Sequence, residues 1–278
     1  MGRIVKIEKT IKGNTYYQLL SKPQVYLKVL LTRTFGLGFF TLLVSLIISF
    51  LDLGAYTIPS TMHSLIGIVI GLLLVFRTNT AYDRWWDGRK MLSYVSHEVD
   101  MISARLGAIE TSEIYDEIEN YRIAVRSFLI KLRDYLSSGE DGESSIKFHL
   151  NQKQSIQKIL ITLTALEQKG VDISKLLNSL DKLSEYSNNL ERIKSTPIPL
   201  SYVFHIKVSL LIYLVTLPFG MFHDLELWSV PMVMVIYYII AGVEIISNEI
   251  ENPFANDPND LPTHTLFDVI LKTLASKN

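Results

Sequence analysis

The 278-residue chain contains no cysteine. Disulfides, structural zinc on thiolates and thiol catalysis are therefore excluded. The sequence also lacks G-x-x-x-x-G-K-[ST], G-x-G-x-x-G and G-x-S-x-G, which argues against phosphate-loop, dinucleotide-binding and hydrolase chemistry and predicts a non-enzyme. An excess of one charge sign is missing as well. Lys and Arg number 27 against 28 Asp and Glu, so no global field points to nucleic acid. Few stretches alternate with period two and none repeats with a fixed period, so strands and repeat arrays are not expected. The six histidines do not cluster at ligand spacing, and a lone His63 suggests no metal.

What is present is uncharged sequence in blocks, and the mean hydropathy is +0.24. Thr34 to Leu51 and Leu53 to Phe76 carry no charge, which predicts two membrane-spanning helices joined by a turn near Asp52 to Pro59. Val208 to Phe222 and Leu227 to Val243 are two further uncharged runs of 15 and 17 residues, short for a perpendicular span of about 20. A rival reading makes these two runs buried helices of a soluble domain. The apolar sequence starts too late, and without a small-residue cleavage site, for a secretory leader. The turn at Asp52 to Pro59 and the connection His223 to Leu227 hold no Lys or Arg, whereas residues 1–33 carry seven against the single acid Glu8. The positive-inside bias then places both termini in the cytoplasm.

The expected organisation is an all-α integral membrane protein. Its parts are an N-terminal cytosolic arm (1–33), a first hairpin (34–76), a cytosolic helical domain (77–207), a second hairpin (208–243) and a cytosolic tail (244–278). In the middle domain, Ile114, Ile118, Tyr121, Val125, Phe128, Leu132 and Tyr135 step by 4 and 3, the seam of an amphipathic helix. Ser137 to Ser145 reads as a polar loop. Ile156, Ile159, Leu160, Leu163 and Leu166 mark a second helix that Gly170 breaks. Leu176, Leu180, Leu183 and Leu190 mark a third, ending near Ile193.

The stretch Ile58 to Lys90, IPSTMHSLIGIVIGLLLVFRTNTAYDRWWDGRK, has no proline after Pro59, so one helix can continue from lipid into water. Its apolar half carries two stripes. Gly67 and Gly71 permit close helix packing. Ile68, Leu72 and Phe76 form a large apolar stripe at i, i+4, i+8. This stripe faces lipid, packs in a bundle, or, repeated around an axis, makes a constriction that closes by dewetting. In the charged half, Arg77, Asp83, Arg84, Asp87, Arg89 and Lys90 alternate in sign without obvious pairs on one face. They call for partners from other segments, or for an interfacial anchor with Trp85 and Trp86 among headgroups. Glu244 ends the last apolar run and either takes part in ion passage or snorkels to water. His205 and Lys207 line a vestibule, bind lipid phosphate or anchor at the interface. Asn252, Asn256, Asp257, Asn259 and Asp260 offer oxygen ligands for a hard cation, or Asx-capped turns.

Three motifs, RTNTAYDRWWDGRK after a glycine-bearing apolar helix, TPIPLSY, and ENPF followed by NDLP, fall in one order along nearly the whole chain and resemble the bacterial branch of the bestrophins. The resemblance implies a homopentameric ion channel around one central pore, with four membrane-spanning segments and a helical cytosolic domain per subunit. It places the family's three-ring neck on Ile68, Leu72 and Phe76, with an aliphatic middle ring, and the cytosolic aperture at Ile193. It places Gly67 and Gly71 against neighbouring helices. It puts Glu249, Asn252, Asn256, Asp257 and Asp260 at the positions of the animal proteins' Ca²⁺ clasp, here vestigial because Asn256 replaces a carboxylate, so no cofactor is expected. From the bacterial branch it implies passive conduction of Na⁺ and K⁺ across the bacterial inner membrane. A chloride-conducting channel of the same build and a non-conducting membrane scaffold are the alternatives. The implied partners are further copies of the chain, lipid and monovalent ions.

Overall fold

The computed structural model describes residues 23–51, 60–139, 142–255 and 259–275. Among these, secondary structure is helical throughout: α1 (Pro23–Phe50), α2 (Ser60–Ile109), α3 (Tyr115–Ser137), α4 (Gly142–Gln168), α5 (Ser174–Ser195), α6 (Leu200–Leu225), a 3₁₀ turn (Glu226–Trp228), α7 (Ser229–Glu251) and α8 (Thr263–Ala275). The chain divides into two compact units. One comprises residues 1–83 and 198–251, the other residues 84–197 and 252–278. These limits differ by several residues from the expected 76/77, 207/208 and 243/244.

In the first unit α1, α6 and α7 pack on one another. Three stretches are long and apolar enough to cross a membrane, Leu27–Phe50, Thr61–Ile109 and Ser174–Glu251, and the last contains both α6 and α7. The two later apolar runs are short only in their uncharged cores. Helical structure extends into the polar flanks, giving 26 residues in α6 and 23 in α7. At 1.5 Å per residue these are about 39 and 34 Å, enough for a hydrocarbon core of about 30 Å. Pro218 lies within α6 without ending it. Its missing N–H frees a carbonyl one turn back, which membrane helices tolerate where neighbouring groups or local backbone adjustment satisfy it again.

The contact of α1 with α7 is built from small residues. Thr34, Gly38, Thr41 and Ser45 recur at i, i+4, i+7, i+11 and are buried. A Cβ on Gly38 would lie 2.8 Å from Met234 Cγ, and Ser45 Oγ meets Ser229 Oγ at 3.2 Å. The Thr34 and Thr41 hydroxyls donate to their own helix at Leu30 O and Leu37 O, 2.8 Å each, so the face presents few unsatisfied polar atoms.

The second unit has one apolar core. The seam expected on α3 is buried throughout, with Leu129 and Leu136 added to it. Asp116 and Glu117 sit in its first turn, where negative charge suits the helix dipole. Helix α4 packs on α3 and α5, and α8 closes the core through Phe267, Ile270, Leu271 and Leu274. The polar loop is shorter than expected, since α4 already begins at Gly142. Gly170, at φ 84°, ends α4: Gly170 N–H donates to Glu167 O (2.8 Å) and Val171 N–H to Leu166 O (3.2 Å). Glycine adopts this left-handed conformation without a Cβ penalty, and Leu166 and Val171 then both reach the core.

Candidate ion-conduction site

Helix α2 has two faces within the first unit. Ile70 and Leu74 are buried against Leu210, Tyr213, Leu214 and Leu217 of α6 and Val233 of α7. Ile68, Leu72 and Phe76 lie on the other face and are 70%, 54% and 54% exposed on a single chain. A helix advances about 100° per residue, so positions spaced by four stay within one stripe. The three side chains are therefore collinear and unused by the core of their own unit, as are Leu65 and Val69 beside them.

The two glycines of the small-residue stripe differ. A Cβ on Gly67 would meet Tyr213 Oη at 2.8 Å, so Gly67 lets α6 approach. At Gly71 a Cβ would meet nothing within 4 Å among the described residues, so no described helix makes a close contact there. One turn earlier His63 is buried against Gly220 and Tyr213, and neither ring nitrogen has a hydrogen-bond partner among the described residues.

Below Phe76 the helix meets a charged knot that periodicity did not reveal. Arg77 is 0% exposed. It continues the packing face of Ile70 and Leu74, and its guanidinium reaches three residues of α7: Glu244 Oε1 at 3.4 Å, Glu251 Oε2 at 3.5 Å and Asn248 Oδ1. Asn248 Nδ2 donates to Glu244 Oε1 at 2.6 Å, and Lys207 Nζ of α6 stands 3.9 Å from the same oxygen. The requirement for partners from other segments, read from the alternating charges, holds for Arg77. Glu244 is thereby an ion-pair partner and Lys207 its neighbour. The legible signal was the spacing of Glu244, Asn248 and Glu251, i, i+4, i+7 on one helix.

In the second unit Arg84 also finds distant partners, donating to Ile193 O at 2.6 Å and to Thr196 O. It thus holds the carbonyl end of α5. The Ile193 side chain, the expected aperture, is half-buried against its own unit's core. The adjacent Lys194 is buried; its ammonium donates to Tyr135 O, to Ser138 O (2.7 Å) and to Ser138 Oγ (3.0 Å), capping α3, and sits 4.5 Å from the Tyr135 ring centre. Trp85 is no headgroup anchor: its indole N–H donates to Asn259 O at 2.9 Å and its ring packs on the core. Lys90 and Asp87 pair at 2.7 Å on the exposed face.

The oxygen-rich run is placed in part. Asn256 and Asp257 lie outside the described residues. Glu249, Asn252 and Asp260 are half-buried, and among the described residues no three His, Asp or Glu side chains converge to hold a metal ion. Phe254, within the same motif, has a packing role. It is buried, and a Cβ on Gly88 would lie 3.1 Å from its Cζ, so ENPF seats the tail on α2.

Comparison with known proteins places these features in a family. The chain matches the family described as bacterial/fungal bestrophin protein over residues 17–276. It is 32% identical over 229 residues to a voltage-dependent anion channel-forming protein of Nostoc sp., covering 74% of each chain. It is 29% identical over 262 residues to a protein of the same name from Synechocystis sp., covering 86% of this chain and 82% of that one. A crystal structure of a bacterial bestrophin homologue from Klebsiella pneumoniae superposes with a TM-score of 0.76 at 21% identity, over 87% of this chain and 97% of that one. With its all-helical fold and apolar spans, the chain belongs to the bacterial and fungal bestrophins, a family of membrane ion channels and not of enzymes.

Proposed function

We propose that the chain assembles as a homopentamer in the bacterial inner membrane and passively conducts small monovalent ions through a neck formed by Ile68, Leu72 and Phe76. The observation that carries this reading is the two-faced α2. Its packing face is satisfied by α6 and α7, while a collinear apolar stripe is left exposed on the single chain. Five copies of that stripe around an axis make three stacked apolar rings, a constriction that controls water and ions by wetting. In this reading the N-terminal arm, residues 77–207 and the tail are cytosolic, and Ile193 lines a second constriction.

Apolar rings carry no charge preference of their own, and the charge nearest the neck, Arg77, is neutralised by Glu244 and Glu251. The relatives' names favour anions as the permeant class. Conduction of Na⁺ and K⁺ rests on the sequence resemblance alone. Planar-bilayer recording of the purified protein under a KCl gradient tests both levels. Reversal towards the chloride equilibrium potential is expected, and reversal towards that of potassium would reinstate the cation reading. Absence of current under every condition would overturn the channel.

A further inference from the structure

We infer that Arg77 is a positioning residue for the neck, setting the rotation of α2 that aims Phe76. This rests on the neck reading above. The two residues are adjacent, and on a helix their side chains diverge by about 100°. Whatever holds Arg77 therefore fixes the direction of Phe76.

Arg77 is held along one face of α7. Its guanidinium is wholly buried and meets Glu244, Asn248 and Glu251, which span two turns of one face of α7. The Asn248 amide ties itself to Glu244 at 2.6 Å, so the acceptors are themselves fixed. Lys207 adds α6 to the same knot at 3.9 Å from Glu244. Guanidinium is a planar, permanently charged fork, and a buried one has no alternative setting that leaves its charge paired. An apolar contact such as that of Ile70 and Leu74 with α6 tolerates sliding and small rotations. The ion knot, at the end of the same face, does not. A buried polar group that fixes register is the best attested use of such pairs. Arg77 points away from the exposed stripe, so it acts on ions through Phe76 and not by its own charge.

The test uses the full-length protein in planar bilayers, with R77K, E251Q, F76A and the double variants R77K/F76A and E251Q/F76A. Lysine keeps the charge but loses the fork, and E251Q leaves Arg77 and Glu244 in place if R77K does not fold. R77K and E251Q are expected to assemble at wild-type size and raise the current several-fold, with the reversal potential in a KCl gradient unmoved. On the F76A background, whose current is already raised, they are expected to add nothing. Unchanged current in both single variants overturns the inference, as does the same fold-change with and without Phe76. A shifted reversal potential also overturns it, because the charge would then be sensed directly. If F76A by itself leaves the current unchanged, the neck reading fails first, and that result is read on its own variant.

Discussion

Gly220 of α6 leaves the space that the His63 ring of α2 occupies: a Cβ on Gly220 would lie 2.7 Å from His63 Cγ. Among the described residues the ring makes no hydrogen bond, so the contact is one of shape. Gly220→Ala is expected to lower the melting temperature in detergent, at a cost of about 1–3 kcal/mol for overpacking. His63→Ala on the same chain should recover most of that loss. Additive losses in the double variant would place the defect elsewhere.

Leu72 is exposed on the single chain, so a smaller polar side chain there disturbs no core of that chain. Leu72→Thr is expected to change the subunit's stability by no more than about 0.5 kcal/mol. In the proposed neck it should raise the bilayer current several-fold, because a ring of hydroxyls there would lower the barrier to wetting. An unchanged current with normal assembly would favour a lipid-facing stripe.

Lys194 holds the end of α3 by three acceptors on Tyr135 and Ser138. Lys194→Met keeps the stem and removes the donors, leaving carbonyl groups short of partners. The expected cost is about 1.5–3 kcal/mol, the range for bonds to a charged group. Hydrogen exchange at residues 135–138 should rise more than at α8, which a global loss of stability would not produce.

Asp172 precedes α5 and accepts from Ser174 N–H at 3.0 Å. Hydrogen bonds from Ser174 hold its carboxyl below the usual carboxylate range. A lowered folded value means that the ionised form stabilises the fold above the ordinary carboxylate pKa, and that this contribution fades as pH falls through the lowered value. Asp172→Asn retains a capping oxygen and removes the titration. Its unfolding midpoint should therefore depend less on pH between pH 5 and pH 2 than the wild type's, roughly the window of a lowered carboxylate. An identical acid limb in both proteins would contradict this.

The sequence by itself determined the helical class, the apolar spans and the α3 seam, because each depends on the period of side chains along one helix. The stripe Ile68, Leu72, Phe76 was legible for the same reason, and so was the uninterrupted course of α2, which needs only the absence of proline. Tertiary structure decided what the faces meet. Only packing separates Gly67, which meets Tyr213, from Gly71, which meets nothing within 4 Å among the described residues. The small-residue face of α1 was readable at i, i+4, i+7 but stood out only once Met234 and Ser229 lay against it. Arg77 looked like one charge in an alternating run, yet its partners lie 167 to 174 residues further along the chain. Trp85, Arg84 and Phe254 likewise found partners on other elements of their unit. Local periodicity encodes which side of a helix is apolar, whereas the pairing of buried charges and the fit of a glycine are set by a second helix, and the sequence of the first carries no record of it.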